Sequence, residues 1–297
     1  MQNPLVIAIV GGLGAMFGWG FADFFAKKTI DKLGDLTSLV WAHLFGTSMF
    51  IILALFNFAV TGHLIRFPSS LSAWAGLMFF GILQMIVYWL VYKGFSKGQL
   101  AVLNPVFASY SGIVAFISIV FLSEKLTGLT AAALLLIFGG IMLMNTDLQG
   151  IKTRSISLLP GIREVGTAAI LAAVWTILWD RFVQGQDFLA YALFMYLFMS
   201  LAALVAARSQ RTKLLPINRG LWKFLLLIGL GETLAYLSLS YGFSRSTHTS
   251  VVALISGSFS LPTVILAAVF LKERVTRLQL ASVGIIVAGI ILVSLRS

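Results

Sequence analysis

Phe121-Leu-Ser-Glu-Lys-Leu-Thr127 and Phe270-Leu-Lys-Glu-Arg-Val-Thr276 are two versions of one segment, 149 residues apart. Each leads into an apolar, glycine-containing run: Leu-Ile-Phe-Gly-Gly-Ile-Met-Leu over 136–143 and Ile-Val-Ala-Gly-Ile-Ile-Leu over 286–292. Upstream, Tyr92-Lys-Gly-Phe-Ser-Lys97 matches Ser240-Tyr-Gly-Phe-Ser-Arg245 at an offset of 148, so one residue is gained before the ninth apolar run. The chain is therefore an internal duplication, and its fold is the fold of one half used twice.

Composition says what that half is made of. The chain has 297 residues, 59% of them hydrophobic and only 10% charged, with mean hydropathy +0.99. Apolar runs of about 20 residues follow one another, the length of a membrane-spanning helix. The spans read as 5–25, 36–60, 71–92, 100–122, 128–145, 163–183, 188–207, 221–242, 249–271 and 277–295. The expected fold is an all-α polytopic membrane protein of ten transmembrane helices. The first five-helix repeat is 1–147, the connecting loop is 148–162 and the second repeat is 163–297. The loops are short, so sequence neighbours are expected to be antiparallel neighbours in space. Met1-Gln-Asn-Pro4 lacks the positive region of a secretory signal, and the first apolar run reads as a span.

Five helices per half is an odd number, so the second copy enters the membrane from the opposite side. That is an inverted-topology repeat, which places a site near the midplane at the repeat interface. Of the 21 Lys and Arg, 16 lie in or beside the loops after spans 1, 3, 5, 7 and 9. The positive-inside rule then puts those loops in the cytoplasm and both termini outside. The net charge of +11 belongs to this orientation signal and not to a nucleic-acid surface. Cysteine is absent, and the three histidines show no metal-ligand spacing. No metal and no cofactor is expected, nor any nucleotide-binding motif.

The same offset of 148 pairs Gly81–Tyr88 with Gly229-Leu-Gly-Glu-Thr-Leu-Ala-Tyr236, and sets Gln84 opposite Glu232 and Tyr88 opposite Tyr236. Glu232 is the one acid in the middle of a span. A charge there costs at least about 2.5–3.5 kcal/mol and by default marks a transport pathway. It is the candidate proton-coupling and cation-binding group; the alternative is a structural acid bonded to a neighbouring helix. Gln84 either hydrogen-bonds substrate or ties helices together. Tyr88 and Tyr236 follow Gln84 and Glu232 by four residues, on the same helical faces, and either line the cavity or anchor the interface.

Trp19 and Trp175 lie deep in spans one and six, with Asp23 and Trp179 four residues on. Aromatic walls with a carboxylate would hold an organic ammonium; packing is the alternative. Asp23, two residues inside the end of span one, joins Glu232 as a proton-coupling candidate and is also spaced to pair with Lys27. His43 is a proton-relay candidate or a packing histidine. Pro105, opening span four, and Pro262, interrupting span nine, free backbone carbonyls. Asn104 and Ser109-Tyr-Ser-Gly112 in one half, and Ser256-Gly-Ser-Phe-Ser260 in the other, supply small polar groups there. Asn104, Ser256 and Ser260 join the substrate-binding candidates, and the two spans are the candidate moving gate. Glu124-Lys125 and Glu273-Arg274 occupy turns, where solvated charge is expected, and Thr276 with Gln279 fits a capping box.

Phe17-Gly-Trp-Gly20, the two Glu-Lys/Arg-x-Thr turns and the glycine-containing helix after each, set among ten spans, resemble the EamA-type branch of the drug/metabolite transporter superfamily. The resemblance covers essentially the whole chain. It implies a multi-pass carrier of small metabolites in the inner membrane of a prokaryote, with its N-terminus in the cytoplasm, opposite to the charge count. The combined expectation is a secondary active transporter of a small organic solute, a cationic or aromatic amine or an amino-acid-like metabolite, coupled to protons or to exchange through Glu232. Its partners would be the lipid bilayer and a small-molecule substrate. Spans five and ten, apolar nearly all round, leave internal packing and a homodimer both open. A channel, a lipid-modifying enzyme and an accessory or sensor protein are the rivals; the enzyme is disfavoured by the absence of clustered catalytic groups.

Overall fold

The structure is a computed structural model and describes residues 3–144, 160–212, 214, 217, 219–270, 272 and 276–295. The connecting loop from 148 to 159, with Glu273 and Arg274, lies outside the described residues. The first half contains α1 (Pro4–Leu33), α2 (Asp35–Thr61), α3 (Leu71–Phe95), α4 (Leu100–Ala108), α5 (Tyr110–Val120) and α6 (Gly128–Met144). The second contains α7 (Ile162–Val183), α8 (Phe188–Ser209), α9 (Arg219–Arg245), α10 (Thr249–Gly257), α11 (Ser260–Phe270) and α12 (Arg277–Ser294). With α4–α5 and α10–α11 each counted as one broken span, nine are long and apolar enough to cross a bilayer among the described residues; α6 is the shorter tenth.

Local chemistry sets the helix ends. Asn3 caps α1 by accepting from the Leu5 N–H at 2.9 Å, with Pro4 at the first helical position. Gly34, at φ 81°, ends α1 and returns its N–H to Ile30 O. Asp187 caps α8 through the Leu189 and Ala190 N–H groups and also accepts from the Arg66 N–H at 2.9 Å, which pins the loop before α3. The Thr276–Gln279 capping box opens α12. Ser123 and Lys272, both at φ 56°, occupy the same place in the two repeated turns.

The packing does not follow sequence neighbours. The most extensive contacts join the halves: α1 with α9, α3 with α7, α2 with α9, α3 with α8, and α5 with α10. Equivalent helices also meet, α2 with α8 and α6 with α12. These contacts come in reciprocal sets, as a pseudo-two-fold between inverted halves requires. Contacts between neighbours such as α1 and α2 are fewer, so the short loops constrain the path while the repeat interface builds the core.

Small residues allow the closest crossing. Gly11, Gly14 and Gly18 of α1 face Gly231, Ala235, Ser238 and Gly242 of α9. A Cβ built on Gly11 would stand 2.7 Å from Gly242 Cα, and one on Gly231 2.6 Å from Gly18 O. At Gly11, Gly18 and Gly231 the nearest atoms are backbone, so there α1 and α9 touch main chain to main chain.

Both broken spans change direction at equivalent places, 149 residues apart: Ser109 between α4 and α5, Ser258 and Phe259 between α10 and α11. Pro262 has no N–H to return to Ser258 O, which accepts instead from Leu261 N at 2.9 Å. Pro105 lies inside α4 and does not open it.

The α1–α9 crossing gives a direct test. Gly18→Leu should lower the thermal midpoint of the detergent-purified protein by about 5–10 °C, the scale of overpacking in a close-packed core. Gly139→Leu, where a Cβ meets nothing within 4 Å, should leave the midpoint nearly unchanged.

Candidate functional site

The site begins where Gly229 lets α9 approach α2. A Cβ on Gly229 would lie 2.9 Å from the backbone of Phe45 and Gly46. In the other half Gly81 makes the equivalent approach to Met195 and Met199 of α8. Three residues beyond Gly229, the Glu232 carboxylate enters the space between α2 and α8 and is 1% exposed. The Tyr196 hydroxyl of α8 donates to its Oε2. His43 Nε2 of α2 stands 3.8 Å from the same oxygen.

The histidine is held on its other side. Its Nδ1 lies 2.7 Å from Leu39 O, and a carbonyl only accepts, so Nδ1 carries a hydrogen. In the neutral ring Nε2 is then an acceptor, and it stands 3.8 Å from the carboxylate with no hydrogen-bond partner of its own. His43 stacks on Tyr196, with centroids 5.3 Å apart, and Ser200 ties both backbones by donating to His43 O and Tyr196 O at 3.0 Å.

Tyr196 is the residue that sequence reading missed. His43-Leu-Phe45 aligns with Tyr196-Leu-Phe198 at an offset of 153, and Thr47 then aligns with Ser200. Both pairs meet in space, Thr47 and Ser200 at 2.7 Å. Extending the repeat into spans two and seven would have found Tyr196.

Tyr236 joins this group to a pocket. It accepts from Gln84 Nε2 at 2.7 Å, and its ring stands against Trp19 at 5.4 Å, Tyr196 at 5.5 Å and Trp175 at 6.1 Å. Trp19, Asp23, Gln84, Tyr88 and Trp175 line the pocket, closed by Phe107, Tyr110 and Phe259 from the helix breaks. Glu232, His43 and Tyr236 form the layer behind this wall. Asn104 stands behind Asp23 and donates to its Oδ2 at 2.6 Å. Ser256 returns its hydroxyl to Ala253 O, Ser260 is buried beside the break, and neither lines the pocket.

Asp23 differs from its sequence reading. α1 continues to Leu33, so Asp23 is ten residues from the helix end and 3% exposed. Lys27 turns away, to Asp31 Oδ1 and Phe95 O, both at 2.8 Å. Two acids from opposite halves therefore share the centre of the bundle. The pocket itself is tight, with about 10 Å³ of free volume, the room of a single water. A wider recess of about 190 Å³ lies at the odd-loop end, lined by residues including Asp35, Trp89 and Lys93.

Comparison with known proteins agrees with this architecture. The model of the EamA-like transporter family matches residues 6–146 and again residues 161–295. The chain belongs to the EamA-like transporter family. It is a membrane transporter of the drug/metabolite superfamily, built from two copies of the family unit. A solved crystal structure of another protein covers 97% of this chain and 96% of its own, with TM-score 0.73 at 15% identity, a likeness of fold alone. No curated protein matches the sequence.

Within this transporter, side-chain contacts tie helices together at both ends of the bundle. At the odd-loop end Lys97 pairs with Glu164. At the even-loop end two acids hold the start of α10: Asp180 accepts from Thr249 Oγ1 at 2.8 Å, and Glu124 accepts from Ser250 N at 2.9 Å and Ser250 Oγ at 2.6 Å. Glu124 is thus not a solvated turn charge; its side chain is 5% exposed, with His248 Nδ1 3.9 Å away. Burial holds its carboxyl above the ordinary value of 4.5, and the Ser250 bonds oppose that rise. The folded state therefore binds this proton more tightly than the unfolded chain does. The resulting stability is fully present below pH 4.5 and is lost as pH rises through the elevated value. Thermal midpoints measured from pH 4.5 to neutrality should fall less in Glu124→Gln than in the wild type.

Proposed function

We propose that this transporter is a secondary active carrier of a small cationic or aromatic organic solute, coupled to protons or to exchange through Glu232. One observation carries the reading: a fully buried carboxylate, bonded by Tyr196 and faced by His43 Nε2 at 3.8 Å, lies directly behind a pocket that holds a second buried carboxylate. Two ionised acids at the centre of a bundle are costly unless a cation neutralises them. A proton on the Glu232–His43 pair and an ammonium at Asp23 are alternative ways to do so. Competition between them exchanges one for the other across the membrane.

The helix breaks at Ser109 and Ser258 are the proposed gates, opening one end of the bundle at a time. The tightness of the pocket favours a carrier over an open channel, and the acid pair lies within one chain, so the scheme does not call on a homodimer. We place the transporter in the inner membrane of a prokaryote and take residues 1–147 and 163–297 as its two halves with 148–162 between them; the two family matches, 6–146 and 161–295, support the division.

The test is transport by Glu232→Gln in proteoliposomes, checked first for a wild-type elution profile. Uptake of aromatic amines driven by a pH gradient should fall to that of protein-free vesicles. Coupled uptake at the wild-type rate would overturn the assignment of Glu232.

A further inference from the structure

The pocket wall carries more hydrogen-bonding capacity than the protein uses. Asp23, Gln84 and Trp19 all line it. Gln84 spends its amide N–H on Tyr236 and leaves Oε1 buried with no partner. Trp19 Nε1 is also buried with no partner. The two side chains are 4% and 5% exposed. Indole N–H is only a donor and an amide oxygen only an acceptor, so neither can satisfy its own need.

The other polar groups of the wall are not in this condition. Trp175, the repeat mate of Trp19, donates to Phe80 O at 3.0 Å, and Thr176 donates to Ala172 O at 2.7 Å. Trp179, the mate of Asp23, donates to Ser240 Oγ at 3.2 Å. Among the residues that line the pocket, the unmet groups thus come from the first half, while Trp175 and Thr176 of the second are satisfied. Buried polar groups in folded proteins are nearly always paired, and each exception calls for an explanation; Trp19 and Gln84 share a pocket.

The set reads as a template. Asp23 and Gln84 Oε1 ask for N–H donors, at least one of them charged. Trp19 asks for an acceptor. Tyr88, Phe107, Tyr110, Trp175 and Phe259 ask for a flat apolar body. No Lys or Arg lines the pocket, so a carboxylate on the solute would meet Asp23 and no base. A quaternary ammonium would suit the rings and leave Gln84 unpaired.

We infer that the pocket selects an aromatic ammonium with at least two N–H groups and a neutral hydrogen-bond acceptor, and discriminates against quaternary amines and amino acids. The inference names the substrate class of the proposed carrier and rests on that reading.

Four matched compounds test it on the purified full chain: 2-amino-1-phenylethanol, its N,N,N-trimethyl analogue, phenethylamine and 3-phenylserine. Binding is read by ligand-dependent thermal shift, and transport by counterflow in proteoliposomes. The amino alcohol should bind about tenfold or more tighter than each of the other three, because a site built to hydrogen-bond a group rejects analogues that lack it. Trp19→Phe should bring the amino alcohol and phenethylamine to similar affinity. Gln84→Met should narrow the gap to the trimethyl compound. Equal affinities, tighter binding of the trimethyl compound or of phenylserine, or no binding of any of the four overturns the inference. The expected ranking without counterflow would overturn the carrier reading and leave the pocket chemistry standing; counterflow with the wrong ranking would do the reverse.

Discussion

A carboxylate in a low-dielectric interior must be neutralised or surrounded by donors, and this protein places two of them within one bundle centre. The rest of the structure meets that demand. Tyr196 and His43 serve Glu232, and Asn104 serves Asp23. Tyr236 and Gln84 occupy the space between. The closeness of the acids follows from backbone packing. Gly18 of α1 meets Gly231 of α9, and the acids stand five residues after the first and one after the second. A bulkier residue at either glycine would part the helices and with them the two charges. The small-residue crossing is therefore as much a part of the chemistry as the acids.

The two halves share a scaffold and divide the chemistry unequally. His43 has Tyr196 as its mate, Glu232 has Gln84, and Asp23 has Trp179. In each pair one member is a carboxylic acid or an imidazole and the other a tyrosine, an amide or an indole. Because the halves are inverted, an interaction made by one conformer toward one side of the membrane has a mirror interaction toward the other. Replacing acid by amide in one mirror image makes the two conformers differ in how they hold a proton. A carrier needs such a difference if a proton gradient is to bias its cycle.

Much of this was legible in the sequence, for physical reasons. Apolar runs of bilayer length set the spans, and nearly all the observed helices begin and end within a few residues of them. The exception was decisive. α1 runs to Leu33 because Lys27, Lys28 and Asp31 do not stop a helix, whereas Gly34 with its positive φ does. Reading the charges as the helix end moved Asp23 toward the surface. Tyr196 was hidden because a tyrosine in an apolar run reads as packing until its hydroxyl is seen to face an acid. Glu124 was misread because a charge in a turn is usually solvated, and nothing local announces that Ser250, 126 residues away, will present its N–H and hydroxyl to it. Spacing along one helix is written in the sequence; the partner across the repeat interface is not.

The broken spans show how an inverted repeat places the same interruption in both halves. Their breaks fall at equivalent positions, yet the prolines do not: Pro105 lies four residues before its break and Pro262 four residues after. The break therefore belongs to the scaffold, and proline reinforces it in different ways. Each break delivers an aromatic ring to the pocket, Tyr110 from one half and Phe259 from the other, stacked on each other at 6.4 Å. Thr263 ties the second break to Gly20 O of α1 at 3.0 Å, next in sequence to Trp19. The two breaks thus carry rings that line the pocket and, through Thr263, hold the backbone beside Trp19. In the proposed carrier scheme, filling the pocket and moving the gate would then be one mechanical event, with Trp19 where the two meet.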